Sequence, residues 1–292
     1  MRRQKKAMLL GLTAVLAWST VATAFKLALR FLDVYQLLFL ADVFSLGALS
    51  LLLTVGGKWP QLITAGRGRI LRSSALGLLN PLLYYLILFR AYDLLPAQVA
   101  QPLNYTWALT LAYLSVPLLG HRLRGKDILA GLVCYAGAAI IATGGNLSGF
   151  GTANAVGVTL ALVSTVIWAL YWIGSRRSTL DPVVSLFLGF LCALPFTALA
   201  VALRSDFHFP APGVWGALYV GCIEMGFTFV LWLTAMRLTS STARIANLIF
   251  LSPFLSLVFI QYVLDEAIRP ATPVGLVLIV GGLWWQGRSD SR

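Results

Sequence analysis

Residues 96–120 read PAQVAQPLNYTWALTLAYLSVPLLG, an apolar stretch interrupted near its middle by Asn104, Tyr105 and Thr106. About 20 consecutive apolar residues are needed for a helix to cross the ~30 Å hydrocarbon core of a membrane, and this stretch is long enough. An unpaired amide transferred into hydrocarbon costs roughly 4–8 kcal/mol. We therefore expect a membrane span whose Asn104 faces a cavity or another helix.

Similar apolar stretches recur along the whole chain. Its 292 residues are 59% hydrophobic and 11% charged, whereas soluble domains carry about 25% charged residues. We predict an all-α membrane protein with ten transmembrane helices. The predicted spans are 7–29, 34–56, 71–94, 97–119, 127–145, 155–175, 182–203, 213–236, 240–263 and 272–287.

The positive charges alternate between the loops. Sixteen Lys and Arg residues fall in the loops on one side of the predicted membrane and five on the other. The positive-inside rule then places both termini in the cytoplasm, in a multi-pass protein of the cell inner membrane. This distribution explains the net charge of +12 without a nucleic-acid partner. The predicted partners are the lipid bilayer and a small-molecule substrate, and the oligomeric state is left open.

No cofactor or metal is predicted. The residues 120–127, GHRLRGKD, have the spacing of a phosphate-binding loop, but Asp127 replaces the Ser or Thr and no strand precedes the loop. The cysteines show no metal-ligand spacing and lie within apolar segments; they are Cys134, Cys192 and Cys222.

An enzyme is not predicted either. The two histidines, His121 and His208, fall in predicted loops on opposite sides of the membrane. Without a base beside it, Ser19 has no activated-nucleophile arrangement.

The two halves of the chain resemble each other. Leu32, Asp33 and 38–40 (LFL) recur 148 residues later, and the GLV motif at 131–133 recurs 144 residues later. We predict two five-helix repeats, 1–146 and 147–292, within one membrane domain. Because five is odd, the second repeat must enter the membrane in the opposite sense. Inverted repeats are typical of secondary transporters, whose substrates bind near the bilayer midplane.

Three stretches carry a family resemblance. They are GLTAVLAWSTVATAFK (11–26), NYTWALT (104–110), and GFTFVLWLTAMRLTSSTARIANLIFLSPFLSLVFIQYVLDEAI (226–268), in which Pro253 and Glu266 stand at recurrent family positions. The chain resembles the drug/metabolite transporter superfamily, in its EamA-type branch, and is similar to bacterial aromatic amino acid exporters. This resemblance implies export and an amino acid substrate. The first half lacks the equivalent Pro and Glu.

Bulky rings and amides recur at mid-span depth. Trp and Tyr normally occupy membrane interfaces, whereas Trp18, Trp107 and Trp168 each fall mid-span. Aromatic faces suit a flat substrate body, and amides can orient its polar end. The predicted substrate-binding residues are Trp18, Ser19, Asn80, Tyr84, Asn104, Tyr105, Trp107, Trp168, Tyr171, Glu224 and Asn247. Ordinary helix packing by the same rings is the alternative interpretation.

Intramembrane ionisable residues are uncommon and point to function. Lys26 and Asp42 fall at depths that permit a salt bridge between them, and we expect a structural pair. Glu224 falls near the centre of its span. Its carboxylate could bind a substrate ammonium, carry a proton, or be protonated and bonded to a neighbour.

These features predict a secondary or facilitative transporter that exports aromatic or other neutral amino acids by alternating access. A multidrug or cation–proton antiporter and a phosphate-ester or sugar transporter of the same superfamily are the alternatives. The phosphate-ester transporter should carry at least two deep basic residues, and only Lys26 and Arg244 are candidates.

Overall fold

The computed structural model describes residues 2–120, 125–145, 154–175, 178–239, 245 and 247–287. Within these ranges the chain is helical, with no β-strand. Six helices are long and apolar enough to cross a membrane: Arg3–Ala28, Val34–Val55, Arg67–Leu94, Ala155–Ser175, Pro182–Arg204 and Ala211–Met236. Shorter apolar helices span Ile128–Thr143, Leu248–Val263 and Ala271–Trp285. The protein is therefore a multi-pass membrane protein. Arg244, one of the two candidate deep basic residues, and residues 121–124 of the stretch 120–127 lie outside the described residues.

Several of these membrane helices are divided into shorter regular segments. The α-helical segments are α1 (Arg2–Ser19), α2 (Val21–Ala28), α3 (Val34–Val55), α4 (Trp59–Thr64), α5 (Arg67–Gly77), α6 (Tyr84–Leu94), α7 (Ala97–Tyr105), α8 (Trp107–Leu119), α9 (Gly125–Thr143), α10 (Ala155–Ser175), α11 (Pro182–Arg204), α12 (Ala211–Tyr219), α13 (Thr228–Leu238), α14 (Ser252–Val263) and α15 (Ala271–Gly287). Two π-helical turns, Leu78–Leu83 and Val220–Phe227, join α5 to α6 and α12 to α13, and a 3₁₀ turn, Asn247–Leu251, precedes α14.

The interruptions have local causes. Asn80 has non-helical backbone angles within the first π turn because it precedes Pro81, whose ring disfavours the helical conformation in the residue before it. Between α1 and α2, the hydroxyls of Ser19 and Thr20 donate to the carbonyls of Leu16 and Ala17. Such side-chain bonds to the preceding turn bend helices. The stretch 97–119, predicted as one span, consists of α7 and α8 with a break at Thr106.

Helices pack closely where glycines remove the side chain. An added Cβ at Gly77 would lie 2.1 Å from the Gly189 carbonyl oxygen, so α5 and α11 touch through their backbones. An added Cβ at Gly221 would lie 2.5 Å from the Ala41 carbonyl oxygen. The other large contacts join α9 to α15, α1 to α13 and α6 to α10. Small residues allow this approach, which is the main source of helix association in lipid.

Aspartates precede two of the long helices, α3 and α11, and cap their N-termini. The Asp33 side chain accepts from the backbone N–H groups of Tyr35 and Gln36, and Asp181 accepts from Val183. Asp181 also forms an ion pair with Lys58 at 2.9 Å. These caps supply acceptors for N–H groups that have no partner within the helix.

The expected salt bridge between Lys26 and Asp42 is absent, and this prediction was wrong. The Lys26 ammonium donates to the carbonyl oxygens of Tyr92 and Leu95, at 2.7 and 3.1 Å. Asp42, which is fully buried, accepts instead from the Thr197 hydroxyl at 3.1 Å. The C-terminal carbonyls of α6 are available to a cation because they lack helical partners.

Glu266 caps α7 from the loop before α15. Its two carboxylate oxygens accept from the backbone N–H groups of Ala97 and Gln98, at 3.0 and 3.2 Å. The Gln98 side chain completes the junction by bonding to the Ala267 carbonyl and the Arg269 N–H. A carboxylate suits this position because the positive end of a helix dipole lies at its N-terminus.

We expect Glu266→Ala to lower the free energy of unfolding by about 1–2 kcal/mol, since both N–H groups lose their acceptor. Glu266→Gln keeps an amide oxygen and should cost about half as much. The thermal midpoint of detergent-purified protein checks both variants. Equal midpoints for the wild type and Glu266→Ala would contradict the capping role.

Candidate functional site

A cavity of about 310 Å³ lies between the membrane helices. Its wall is formed by residues of seven α-helical segments and two turns: α1, α2, α6, α7, α8, α10, α13, the second π turn and the 3₁₀ turn. The lining residues are Trp18, Val21, Phe25, Tyr84, Tyr85, Leu88, Tyr92, Gln101, Asn104, Tyr105, Trp107, Leu111, Trp168, Trp172, Glu224, Phe229, Trp232, Met236 and Ile249. The wall is mostly aromatic and apolar, with few polar groups, as is usual for a small-molecule site.

Trp168 lies at the centre of the aromatic wall. Its ring stacks on Tyr84 with a centroid distance of 4.4 Å and on Tyr171 at 5.5 Å. It meets Trp107 and Trp172 edge to face, at 6.4 and 5.9 Å. These separations lie within the range in which aromatic pairs attract one another. The contacts join α6, α8 and α10 in one aromatic surface.

A second group of rings closes the opposite part of the wall. Trp18 contacts Phe229 and Trp232 of α13, with centroid distances of 5.5 and 5.3 Å. Phe229 also contacts Trp168 at 5.8 Å. The aromatic surface is therefore continuous from α1 through α13 to α10.

The Asn104 amide has partners, as the sequence required. Its Oδ1 accepts from the Tyr84 hydroxyl at 3.2 Å, and its Nδ2 donates to the Ser164 hydroxyl at 3.0 Å. The three side chains link α6, α7 and α10. This network fixes the orientation of Tyr84, which also stacks on Trp168, so the amide supports the aromatic wall in addition to lining the cavity.

Glu224 carries an acidic group into the cavity from the second π turn. The residue is 7% exposed, and both of its carboxylate oxygens lie 2.9 Å from the Tyr85 hydroxyl, which donates to them. The extra residue of a π turn shifts the side-chain register of a helix, and such turns are frequent at functional sites.

Gln101 is a further polar group in the wall. It is 1% exposed, and neither its amide oxygen nor its amide nitrogen has a hydrogen-bond partner within the described part of the chain. Buried amides are normally bonded. Gln101 is therefore a group that a bound solute can satisfy.

A second cavity, of about 190 Å³, adjoins the first. Asn80 and Tyr171 line it together with the serines 73, 175, 178 and 185. Trp172 and Phe229 line both cavities and so lie between them. The Asn80 Oδ1 is buried and has no partner among the residues described.

The structure brings seven of the eleven predicted site residues together around the larger cavity: Trp18, Tyr84, Asn104, Tyr105, Trp107, Trp168 and Glu224. Asn80 and Tyr171 line the smaller cavity. Ser19 lines neither, because it is fully buried and its hydroxyl donates to the Leu16 carbonyl of its own helix. The side chain of Asn247 lies outside the described residues.

Comparison with known proteins agrees with this architecture. The model of the EamA-like transporter family matches residues 5–143 and 155–286. The chain belongs to the EamA-like transporter family. A protein of known crystal structure covers 98% of this EamA-like chain, and the match covers 97% of that protein, with a TM-score of 0.68 and 25% sequence identity.

Two curated relatives align with nearly the whole EamA-like chain. The aromatic amino acid exporter YddG of Ancylobacter novellus is 28% identical, and an uncharacterized transporter of Archaeoglobus fulgidus is 25% identical. Each alignment covers 96% of both proteins. Both relatives are transporters by name, which is not an enzyme class, and the one from the bacterium Ancylobacter novellus is consistent with an inner membrane.

Several lining residues of this EamA-like transporter were not among those selected from sequence. They are Tyr85, Gln101, Trp172, Phe229 and Trp232. Trp172 shares a helical face with Trp168, so its spacing was an available signal. Phe229 and Trp232 are three apart on α13, but their facing depends on how α13 packs on α1, which their own spacing does not contain.

The described residues contain no group of three or more His, Cys, Asp or Glu side chains placed to hold a metal ion. The site of this EamA-like transporter can therefore be considered from its rings, amides and single carboxylate. Together these groups can enclose a flat apolar body and hydrogen-bond its polar end.

Proposed function

We propose that this EamA-like transporter exports small solutes with a flat apolar body, aromatic and other neutral amino acids in particular, across the cell inner membrane. The observation that carries the proposal is the continuous aromatic wall around the 310 Å³ cavity. Known ligand pockets range from about 300 to 1,000 Å³, so this cavity suits a ligand of one or two rings.

Similarity to a named relative supports the substrate class and the direction. The Ancylobacter novellus protein, an aromatic amino acid exporter by name, aligns with 96% of this chain at 28% identity. Because substrates are selected by the individual side chains of a site, the proposal also rests on the aromatic wall of this chain's own cavity.

We also propose that the ten spans form two inverted five-helix repeats, 1–146 and 147–292, with both termini cytoplasmic. One family model matches two stretches of similar length. Gly77 lies close to Gly189, and Gly221 lies close to Ala41. Gly221 follows Gly77 by 144 residues and Gly189 follows Ala41 by 148, so each contact is the counterpart of the other in the proposed repeat. The π turns follow the same pattern, one in each half.

Alternating access follows from such repeats. In the proposed repeat, α1 of the first half corresponds to α10 of the second, and α6 corresponds to α13. The contact between α1 and α13 is therefore the counterpart of the contact between α10 and α6. The larger cavity lies among these four helices. Rocking one half against the other would open the cavity to each side in turn.

One alternative function has a specific observation in its favour. Glu224, buried at the cavity wall, is the kind of group that a cation–proton antiporter requires. A phosphate-ester transporter fits less well, because no Lys, Arg or His is among the described lining residues.

Counterflow in proteoliposomes tests the proposal. Vesicles loaded with unlabelled tryptophan should accumulate labelled tryptophan, phenylalanine and tyrosine faster than labelled aspartate or lysine, and protein-free vesicles should not. The same assay with and without a pH gradient identifies proton coupling. Accumulation of none of the aromatic amino acids would reject the substrate class.

A further inference from the structure

The larger cavity has an acidic group but no described basic group to balance it. Among the described lining residues, Glu224 is the sole Asp or Glu, and none is Lys, Arg or His. Lys26 does not supply the missing charge, since it does not line the cavity and its ammonium donates to the Tyr92 and Leu95 carbonyls. Buried carboxylates are costly unless a cation or several hydrogen bonds compensate them.

The hydrogen bonding of Glu224 leaves capacity for a ligand. A carboxylate offers about four lone-pair positions, and Tyr85, which lies 2.9 Å from both oxygens, contributes a single hydroxyl hydrogen. Tyr85 therefore orients the carboxylate without saturating it. The remaining lone pairs can accept N–H donors from a bound ammonium group, and such charge-assisted bonds are strong.

The acid is connected directly to the aromatic wall. Tyr85, which bonds Glu224, contacts Tyr84 with a ring centroid distance of 4.8 Å, and Tyr84 stacks on Trp168. A solute that places its ammonium at Glu224 can therefore lay its ring along this surface. The faces of Trp and Tyr also attract cations, most strongly where water is excluded.

The free amide of Gln101 adds a neutral polar group to the same wall. Its oxygen can accept from an indole N–H or a phenol hydroxyl, and its nitrogen can donate to a hydroxyl. It carries no charge, so it cannot neutralise the carboxylate of an amino acid. The described wall thus offers one carboxylate, one uncharged amide and a set of rings.

We infer that the cavity selects aromatic monoamines, which carry one positive charge, over the corresponding zwitterionic amino acids. This inference rests on the proposed function, because it concerns the same cavity. An amino acid bound here would bring a carboxylate near Glu224 without a described cation to receive it. An amine of the same ring system would bring only the ammonium that Glu224 can accept.

Binding to the detergent-purified wild-type protein tests this order. Four indole compounds differ mainly in charge: tryptamine is a cation, tryptophan a zwitterion, indole neutral and indole-3-acetate an anion. Scintillation proximity binding of labelled tryptamine and labelled tryptophan, with all four as unlabelled competitors, gives their relative affinities. We expect tryptamine to bind at least about tenfold more tightly than tryptophan, because the carboxylate that tryptophan adds is repelled by Glu224 and must be desolvated without a described cation to receive it. We expect indole-3-acetate to bind weakest.

Three variants examine the cause. Glu224→Gln keeps the size of the side chain and should remove the tenfold advantage of tryptamine. Tyr85→Phe keeps the charge and should retain the preference. Arg244→Gln, at a position outside the described residues, should leave both affinities unchanged. If Arg244→Gln instead removes tryptophan binding, a cation at Arg244 balances Glu224 and the inference is overturned.

The wild-type series does not depend on whether any variant folds. Equal or tighter binding of tryptophan overturns the amine preference, while tryptophan counterflow in vesicles would still support the proposed transport of amino acids. Conversely, tryptamine binding in the expected order, with no exchange of any aromatic solute in vesicles, supports the inference about the site and rejects the proposed transport function.

Discussion

Adding one methyl group at Gly77 is expected to destabilise this transporter by about 3 kcal/mol or more, at the upper end of the usual cost of overpacking. The new Cβ of Gly77→Ala would lie 2.1 Å from the Gly189 carbonyl oxygen and 2.6 Å from the Gly189 Cα. Both are backbone atoms, so no flexible side chain can move aside. To make room, α5 must separate from α11 along their shared contact.

Two matched variants make this prediction specific. Gly281→Ala adds the same methyl group within α15, where nothing lies within 4 Å, and should leave the thermal midpoint nearly unchanged. Gly189→Ala adds a methyl group on the α11 side of the same contact, where the nearest atom is the Gly77 Cα at 3.3 Å. The loss of stability should therefore lie between those of the other two variants. Fluorescence-detected size-exclusion chromatography after heating measures all three. If the midpoint of Gly77→Ala equals that of Gly281→Ala, the close backbone contact is absent.

Removing the indole of Trp168 should have the largest effect on transport. Trp168→Ala deletes the ring that contacts Tyr84, Tyr171, Trp107, Trp172 and Phe229, and so opens the cavity wall at its centre. Truncating an aromatic residue that dominates a binding site costs about 2 kcal/mol or more of binding free energy, and 1.4 kcal/mol corresponds to about a factor of ten in affinity. We expect the apparent affinity for aromatic amino acids, measured by counterflow, to fall at least about 100-fold.

The control is a tryptophan away from the cavity. Trp215 is 70% exposed, and Trp215→Ala should transport as the wild type does. Trp168→Phe restores part of the ring surface and should recover part of the activity, which a general loss of folding would not allow. The double variant Trp107→Ala/Trp168→Ala should be at least as impaired as Trp168→Ala. Aromatic amino acid exchange that persists in the double variant would show that substrates bind elsewhere.

Sequence reasoning located the aromatic wall better than it located the polar groups. Trp107 and Trp168 were identified because a large ring in the middle of an apolar stretch is unusual, whatever its neighbours. Asn104 was identified for a similar reason, since an amide in hydrocarbon needs a partner. Its partners, Tyr84 and Ser164, lie 20 and 60 residues away and depend on helix packing.

The wrong pairing of Lys26 with Asp42 has the same origin. The depth of a residue along a span follows from counting, but the direction in which its side chain points depends on the rotation of the helix. Lys26 turns toward the carbonyl end of α6, and Asp42 toward Thr197 on α11. Two residues at similar depth can therefore face different helices.

The sequence alone determined that this chain is a helical membrane protein, since its long apolar segments with few charges have the length that crossing a bilayer requires. It also placed unusual rings, amides and two carboxylates, Asp42 and Glu224, in those segments. Only the tertiary structure decided which of them share a cavity. It places Glu224 at the cavity wall beside Tyr85. It places Ser19 outside the cavity, bonded to a carbonyl of its own helix. The physical reason is that hydropathy is a property of each segment, whereas a cavity is formed by the rotations and backbone contacts of several helices together.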